Sequence, residues 1–275
     1  MKSTTVQVGR SHVELCEVGT GPPVLYLHGI YDVHTAQAGF FPFHEELAKR
    51  FSMTVPAHPG CGDSTGIENV TDIEDLAFHY LDLLDVLGIG QATIVGYCLG
   101  GWIATEMAVR NPERIARLVL LGAAGLQVPG ALVGDVFMMS QHRDGGVMQE
   151  LRELLYGDPN AEIALRVTPD GRVNIPDEVR RYKSLTLTGR VGWEPPYLYD
   201  RKLLGRLHRI KCPTLLIWGE QDRLVPLANG RAYAEAMPHA SLQLIRGAGH
   251  SVILEQPQAC CDHIAAFLES KAGER

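Results

Sequence analysis

Polar and apolar residues alternate in Thr5-Val6-Gln7-Val8 and again in His12-Val13-Glu14-Leu15. A period of two predicts two half-exposed strands, here joined as a hairpin about Gly9-Arg10 at the edge of a sheet. Farther along, the alternation gives way to continuous apolar runs: Val24-Leu25-Tyr26-Leu27, Thr93-Ile94-Val95, Leu118-Val119-Leu120-Leu121 and Leu215-Leu216-Ile217-Trp218. Strands covered on both faces read this way, so these runs belong to a parallel core. Between and after them the apolar spacing turns helical over Phe43 to Arg50, Ile73 to Leu87, Gly101 to Arg110, Leu227 to Met237 and Pro257 to Lys271, and Leu242 to Ile245 is the last strand. Strand-helix alternation of this kind predicts an α/β protein with a doubly wound, mostly parallel sheet.

The rhythm breaks between Gln127 and Leu207. Charged helical pieces, Val147 to Leu155 and Pro176 to Tyr182, replace strands there, and Pro195-Pro196 lies among the aromatics Trp193, Tyr197 and Tyr199. The pattern predicts a helical insertion over 127–207 that divides one core into 1–126 and 208–275, with an ordered segment near its end rather than a flexible linker. Regular strands resume at Thr214. A chain of 275 residues suits one such core carrying one insertion.

Composition narrows the function classes. With 45% hydrophobic and 21% charged residues the chain is neither disordered nor fibrous. A net charge of −7 argues against a nucleic-acid partner, whose binding surface shows as a basic excess. The residues from Met1 to Thr5 lead directly into the first strand without a signal-like apolar stretch, and the charge-free run Leu118 to Gly134 is broken by glycines and Pro129. A cytoplasmic location away from membranes is therefore expected. The six cysteines form no spaced pairs, which predicts reduced thiols rather than disulfides or a zinc site. Cys260-Cys261-Asp262-His263 occupies successive positions of a C-terminal amphipathic helix and reads as packing. Trp102 and Glu106 read as helix packing and surface.

Gly96-Tyr97-Cys98-Leu99-Gly100-Gly101 follows a buried strand and opens a helix, with glycines two residues either side of Cys98. A nucleophile lifted above a sheet on a strained strand-to-helix turn needs small flanking residues, and this spacing supplies them. Such a nucleophile requires an acid and then a histidine farther along the chain. Gly219-Glu220-Gln221-Asp222 puts carboxylates in the loop after a strand, Asp222 being the choice and Glu220 its rival. The corresponding position after the preceding strand, Gly122-Ala123-Ala124, has none. Of the eleven histidines, His250, in Gly247-Ala248-Gly249-His250-Ser251 after the last strand, alone fits the base. Two backbone donors for an oxyanion are expected from Leu99 and, in the loop Leu27-His28-Gly29-Ile30, from Ile30, with His28 holding that loop.

These blocks, together with Pro59-Gly60-Cys61-Gly62-Asp63-Ser64, resemble the α/β-hydrolase superfamily over nearly the whole chain. They look most like its esterases, lactonases and carbon–carbon bond hydrolases with small helical caps. The resemblance implies an eight-stranded sheet and a Cys98-His250-Asp222 triad. Two positions depart from the pattern: Ala57 stands where the family often has an aspartate, and Cys98 replaces the usual serine. The hexapeptide around Cys98 is similar to the elbow of dienelactone hydrolases, which use cysteine. Dehalogenases and epoxide hydrolases of this fold carry an elbow aspartate, so their chemistries are disfavoured.

A cysteine nucleophile forms a thioester, and because the tetrahedral intermediate expels thiolate easily, substrates with good leaving groups are favoured: activated esters, enol lactones and thioesters. Transfer to amines or thiols competes with hydrolysis. The expected partner is a small ester or lactone held by Tyr31, Tyr97, Trp193 and Val252 in a mainly apolar pocket, a homodimer being left open. No step requires a cofactor. Two alternatives stand beside this reading. One is a carbon–carbon hydrolase of a vinylogous diketone, for which Arg180, Arg181 and Arg190 are the candidates to hold a carboxylate. The other is a receptor that binds or is modified by a lactone without turnover.

Overall fold

The computed structural model describes residues 2–32, 39–140, 148–171, 175–193 and 197–270. The sheet strands are β1 (Lys2–Val8), β2 (Ser11–Val18), β3 (Pro23–Leu27), β4 (Ser52–Pro56), β5 (Ala92–Tyr97), β6 (Ile115–Leu121), β7 (Thr214–Gly219) and β8 (Ala240–Ile245). They lie in the order β1-β2-β4-β3-β5-β6-β7-β8. The predicted hairpin is present, with Val6 opposite Val13, and β2 continues antiparallel onto β4. Every other pairing is parallel.

β4 is the strand that the apolar pattern did not predict. Met53, Val55 and Pro56 are buried while Ser52 and Thr54 are not, so a five-residue stretch ending in proline carries too little signal to stand out. Its place between β2 and β3 is set by its pairing partners.

Helices α1 (Pro42–Leu47), α2 (Ile73–Val86) and α3 (Leu99–Arg110) flank the first half of the sheet. The start of α2 is fixed by Asp72, whose carboxylate accepts the N–H groups of Glu74 (2.8 Å) and Asp75 (3.1 Å). Between β6 and β7 the described residues form α4 (Val136–Met139), α5 (Gln149–Leu155), α6 (Glu162–Val167), α7 (Ile175–Gly192) and α8 (Leu203–Arg206). The predicted piece Pro176 to Tyr182 is part of the 18-residue α7. Val147, Pro195, Pro196 and Lys271 lie outside the described residues. The second half of the core carries α9 (Leu227–Ala236), α10 (Val252–Glu255) and α11 (Pro257–Glu269). Among the described residues no helix is long and apolar enough to cross a membrane.

α3 is buried from Leu99 to Val109, including Glu106. Glu106 is therefore not a surface residue, as its charge had suggested. It accepts the Trp102 indole N–H at 3.0 Å and pairs with Arg110, and those partners make burial of the carboxylate tolerable. Cys260 and Cys261 are buried on α11, their thiols directed at the carbonyls of Val252 and Phe43.

The register places the carboxyl ends of the central strands level. Leu27 pairs with Gly96, Tyr97 with Leu121, Leu121 with Ile217, and Gly219 with Ile245. The chain runs from β3 outward to β4 and then returns to β5 on the other side of β3, so the loops after β3 and β5 diverge at their carboxyl ends. A crevice at such a switch point is where ligands bind in open α/β sheets.

Candidate active site

Cys98 sits between β5 and α3 with φ 52° and ψ −111°, a conformation that non-glycine residues avoid. Its backbone is fixed from three sides: its N–H donates to Leu121 O, and its carbonyl accepts from Trp102 and Ala124. The flanking glycines are required by contact. A Cβ on Gly96 would lie 2.6 Å from the Gly100 carbonyl, and one on Gly100 would fall on the Leu27 carbonyl. The strained turn thus exists because the backbones of β3, β5 and α3 approach too closely for side chains.

His250 Nδ1 donates to Asp222 Oδ2 at 2.8 Å, and both side chains are buried. Asp222 Oδ1 accepts the Val225 N–H at 2.8 Å, which fixes the carboxylate in its loop. Glu220, the rival acid, is exposed. The histidine loop is tied down on both flanks: Gly249 N–H donates to Glu255, and Ser251 N–H donates to Leu155 O at the end of α5. Tyr97 stacks on the imidazole with ring centroids 5.3 Å apart and donates its hydroxyl to His250 O. A Cβ on Gly122 would lie 3.2 Å from the imidazole and 3.3 Å from Asp222 Oδ2, so this position has no room for a carboxylate beside the pair.

Burial alone would discharge the ring. The Asp222 carboxylate and the Cys98 sulfur act the other way and raise the pKa of His250 to about 10. Nε2, the nitrogen not used by Asp222, is buried and meets no nitrogen or oxygen partner among the described residues; the Cys98 side chain acts on the ring both by its charge and as a hydrogen-bonding neighbour.

The loop after β3 is held by a buried network. His28 Nδ1 donates to Gly29 O at 2.7 Å, and its Nε2 accepts the His58 N–H. His58 Nε2 donates to His28 O at 2.8 Å, and its Nδ1 accepts from Tyr80. Burial depresses the pKa of His28 to about 4, which keeps Nε2 free to accept. Ser64 Oγ bonds Ala57 O and accepts the Glu14 N–H, so the neighbouring loop closes through Ser64 rather than through a carboxylate at position 57. The N–H groups of Ile30 and Leu99 have no acceptor among the described residues.

Two residues of this region carry no sequence signal. Asp32 is buried and accepts the Gly29 N–H and the Tyr26 hydroxyl, each at 2.5 Å. Ser184 of α7 donates to Ile30 O at 2.7 Å. Both act through backbone atoms brought near by folding, and neither has a characteristic spacing from Cys98.

A cavity of about 750 Å³ opens beside the loop, lined by Ile30, Tyr31, Phe40, Phe41, Arg166, Arg180 and Arg181 among others. Cys98 is not among its described walls. Tyr31 links the two, lining the cavity while lying within electrostatic reach of Cys98 and hydrogen-bonding Ser140. The other predicted pocket residues are not among the described lining of this cavity. Tyr97 supports His250, Val252 is buried at the start of α10, and Trp193 is half exposed against Phe137 and Tyr197.

Residues 22–257 match the family model for the alpha/beta hydrolase fold. The chain is 30% identical over 265 residues to a 2-hydroxy-6-oxononadienedioate/2-hydroxy-6-oxononatrienedioate hydrolase of Burkholderia vietnamiensis, covering 92% of this chain and 89% of the relative. It is 29% identical over 265 residues to a pimeloyl-[acyl-carrier protein] methyl ester esterase of Chromobacterium violaceum, covering 93% and 97%. Among solved structures, a 2-hydroxy-6-oxo-6-phenylhexa-2,4-dienoate hydrolase from a Rhodococcus species superposes with a TM-score of 0.76 at 22% identity, covering 98% of this chain and 99% of the other, a likeness of fold.

Proposed function

The chain belongs to the alpha/beta hydrolase fold family, and from that premise we propose that it hydrolyses carboxylic esters or lactones with Cys98 as nucleophile. The observation that carries this reading is the buried Asp222–His250 pair, 2.8 Å long, on the same sheet end as a cysteine strained to φ 52°.

In the first half-reaction the Cys98 thiolate attacks the carbonyl carbon, its proton residing on His250. The carbonyl π electrons move to oxygen, which accepts the N–H groups of Leu99 and Ile30. The oxyanion then collapses, the carbon–oxygen bond to the leaving group breaks, and His250 Nε2 gives its proton to the departing alkoxide. Water next attacks the thioester, its proton passing to His250, and the carbon–sulfur bond breaks to regenerate the thiol. Asp222 fixes the ring through Nδ1 and favours its charged form. On this reading the described residues between β6 and β7 serve as the cap over this site. An amine or thiol in place of water yields transfer.

Cys98→Ala is expected to lower turnover of aryl esters by about a thousandfold or more. Steady-state rates on esters of graded chain length and on lactones check this, and activity near the parent level in the variant would remove Cys98 from the mechanism. A mass spectrum of the trapped enzyme identifies the acyl fragment on sulfur.

The cavity favours a second reading, the carbon–carbon hydrolase of a vinylogous diketone. Arg180 is paired with Asp177 at 2.7 Å, whereas Arg166 and Arg181 form no ion pair with a described residue. Guanidinium groups in this arrangement suit a carboxylate. Both readings use the same residues, and turnover of a carboxylated vinylogous diketone over simple esters decides for the second.

A further inference from the structure

Within the loop after β3, most of the polar backbone atoms from His28 to Ile30 are taken. In the His28–Gly29 peptide the carbonyl accepts from His58 Nε2 and the N–H donates to Asp32 Oδ1. In the Gly29–Ile30 peptide the carbonyl accepts from His28 Nδ1, and Ile30 O accepts from Ser184. The Ile30 N–H has no partner among the described residues. A planar trans peptide fixes that N–H opposite to Gly29 O, so its direction follows from the bonds that hold Gly29.

Gly29 is also wedged against the nucleophile. A Cβ there would lie 2.8 Å from Tyr97 Cδ1, 3.0 Å from Cys98 Cβ and 3.1 Å from Asp32 Oδ1. Any movement of Gly29 therefore changes the gap between loop and elbow. Asp32 is 1% exposed. The ionisable groups around it are Tyr26 on β3, Tyr97 on β5 and His250 beyond β8. An apolar residue would fill the site without the cost of burying a carboxyl, but it would not hold the Gly29 N–H.

We propose that Asp32 is a positioning residue for the reaction: by holding the Gly29 N–H it aims the free Ile30 N–H at the oxygen that becomes negative when Cys98 attacks. The inference rests on the reading of Cys98 as nucleophile. Asp32 itself touches neither substrate nor sulfur; it acts by preorganising a donor whose bond strengthens only in the transition state. Its loss is therefore read in kcat and in affinity for a tetrahedral mimic, with KM and ground-state binding left nearly as they were.

The test compares Asp32→Ala, Asp32→Asn and the parent enzyme on one turned-over ester. Two ligands accompany it: a trifluoromethyl ketone, which forms a reversible tetrahedral adduct with the thiol, and the product acid. Asp32→Ala is expected to lower kcat and ketone affinity by about 10- to 100-fold, with KM and product-acid affinity within about threefold. Asparagine keeps an acceptor oxygen, so Asp32→Asn is expected to remain within about fivefold of the parent. An alanine variant that keeps its kcat, one that loses ground-state and ketone binding alike, or an asparagine variant that falls as far as alanine overturns the proposal. If the alanine variant does not fold, the parent itself supplies the readout. The Gly29 amide proton should move as Asp32 titrates near pH 7, burial having raised its pKa to about 7. A Gly29 resonance indifferent to that titration also overturns the proposal. If the parent turns over no ester, the reading of Cys98 fails first; a parent that works beside an unaffected Asp32→Ala sinks only the role of Asp32.

Discussion

His250 shows how a single residue is set by opposing forces. Its pKa is about 10, against an ordinary 6.5, because the charges of Asp222 and the Cys98 sulfur outweigh the burial that favours the neutral ring. A raised pKa in the folded state means that the fold binds the proton more tightly than the unfolded chain does. The resulting stabilisation is complete below about pH 6.5 and is lost as pH rises toward 10. Asp222→Asn removes the carboxylate, so the pKa of His250 is expected to fall by about two units or more. Nitrogen NMR of the ring measures it, and the decline in stability between pH 6.5 and 10 should flatten with it. A fall of under one unit would mean that Asp222 does not hold the charge. At this scale the elbow was legible, since the glycines flanking Cys98 report a steric demand that any sequence must meet. Asp32 was not, because an aspartate four residues past a histidine says nothing until the Gly29 N–H lies against it.

At the scale of elements, α7 is tied to the loops of the site by hydrogen bonds from neighbouring residues. Ser184 holds Ile30 O, and Lys183 Nζ donates to Gly62 O. Ser184→Ala would leave a buried carbonyl without a donor, costing about 1–3 kcal/mol. The expected outcome is a fall in kcat/KM of about five- to tenfold with the fold retained, since α7 keeps its packing through Leu187 and Thr188. Progress curves on a single ester check it, and an unchanged kcat/KM would leave the contact structural only. The helical period over Pro176 to Tyr182 was visible in the sequence, but the extent of α7 was not, because its mean pattern is polar and only its contacts decide which residues are buried. β4 illustrates the same limit: its alternation is two buried positions long, and its neighbours β2 and β3 supply the rest.

For the molecule as a whole, acid is the exposed side of the stability curve. His28 and His79 have pKa values lowered to about 4 by burial, and that of His58 is also depressed. The unfolded chain takes up protons at these positions near pH 6.5, before the folded one does, so stability falls as pH drops from 6.5 toward 4. Asp32, with its pKa raised to about 7, contributes in the opposite sense over about pH 4 to 7. Urea midpoints are expected to decline through the acid window, and to decline less steeply in His79→Asn. Equal slopes in the two proteins would remove His79 from the account.

What the chain determined by itself is whatever depends on local sterics and periodicity: which strongly periodic segments are strands or helices, that Cys98 stands on a turn between glycines, and the order of Asp222 and His250 along the sequence. The tertiary structure alone decided what depends on partners distant in sequence. It set the position of β4, left Asp222 buried and Glu220 exposed, made Glu106 a core residue, and laid Tyr97 against the His250 ring and Trp193 against Phe137 and Tyr197. It also left the Ile30 N–H without a partner among the described residues. A hydrogen bond's partner and a side chain's neighbours are properties of the folded chain, and neither is written at any fixed spacing in the sequence.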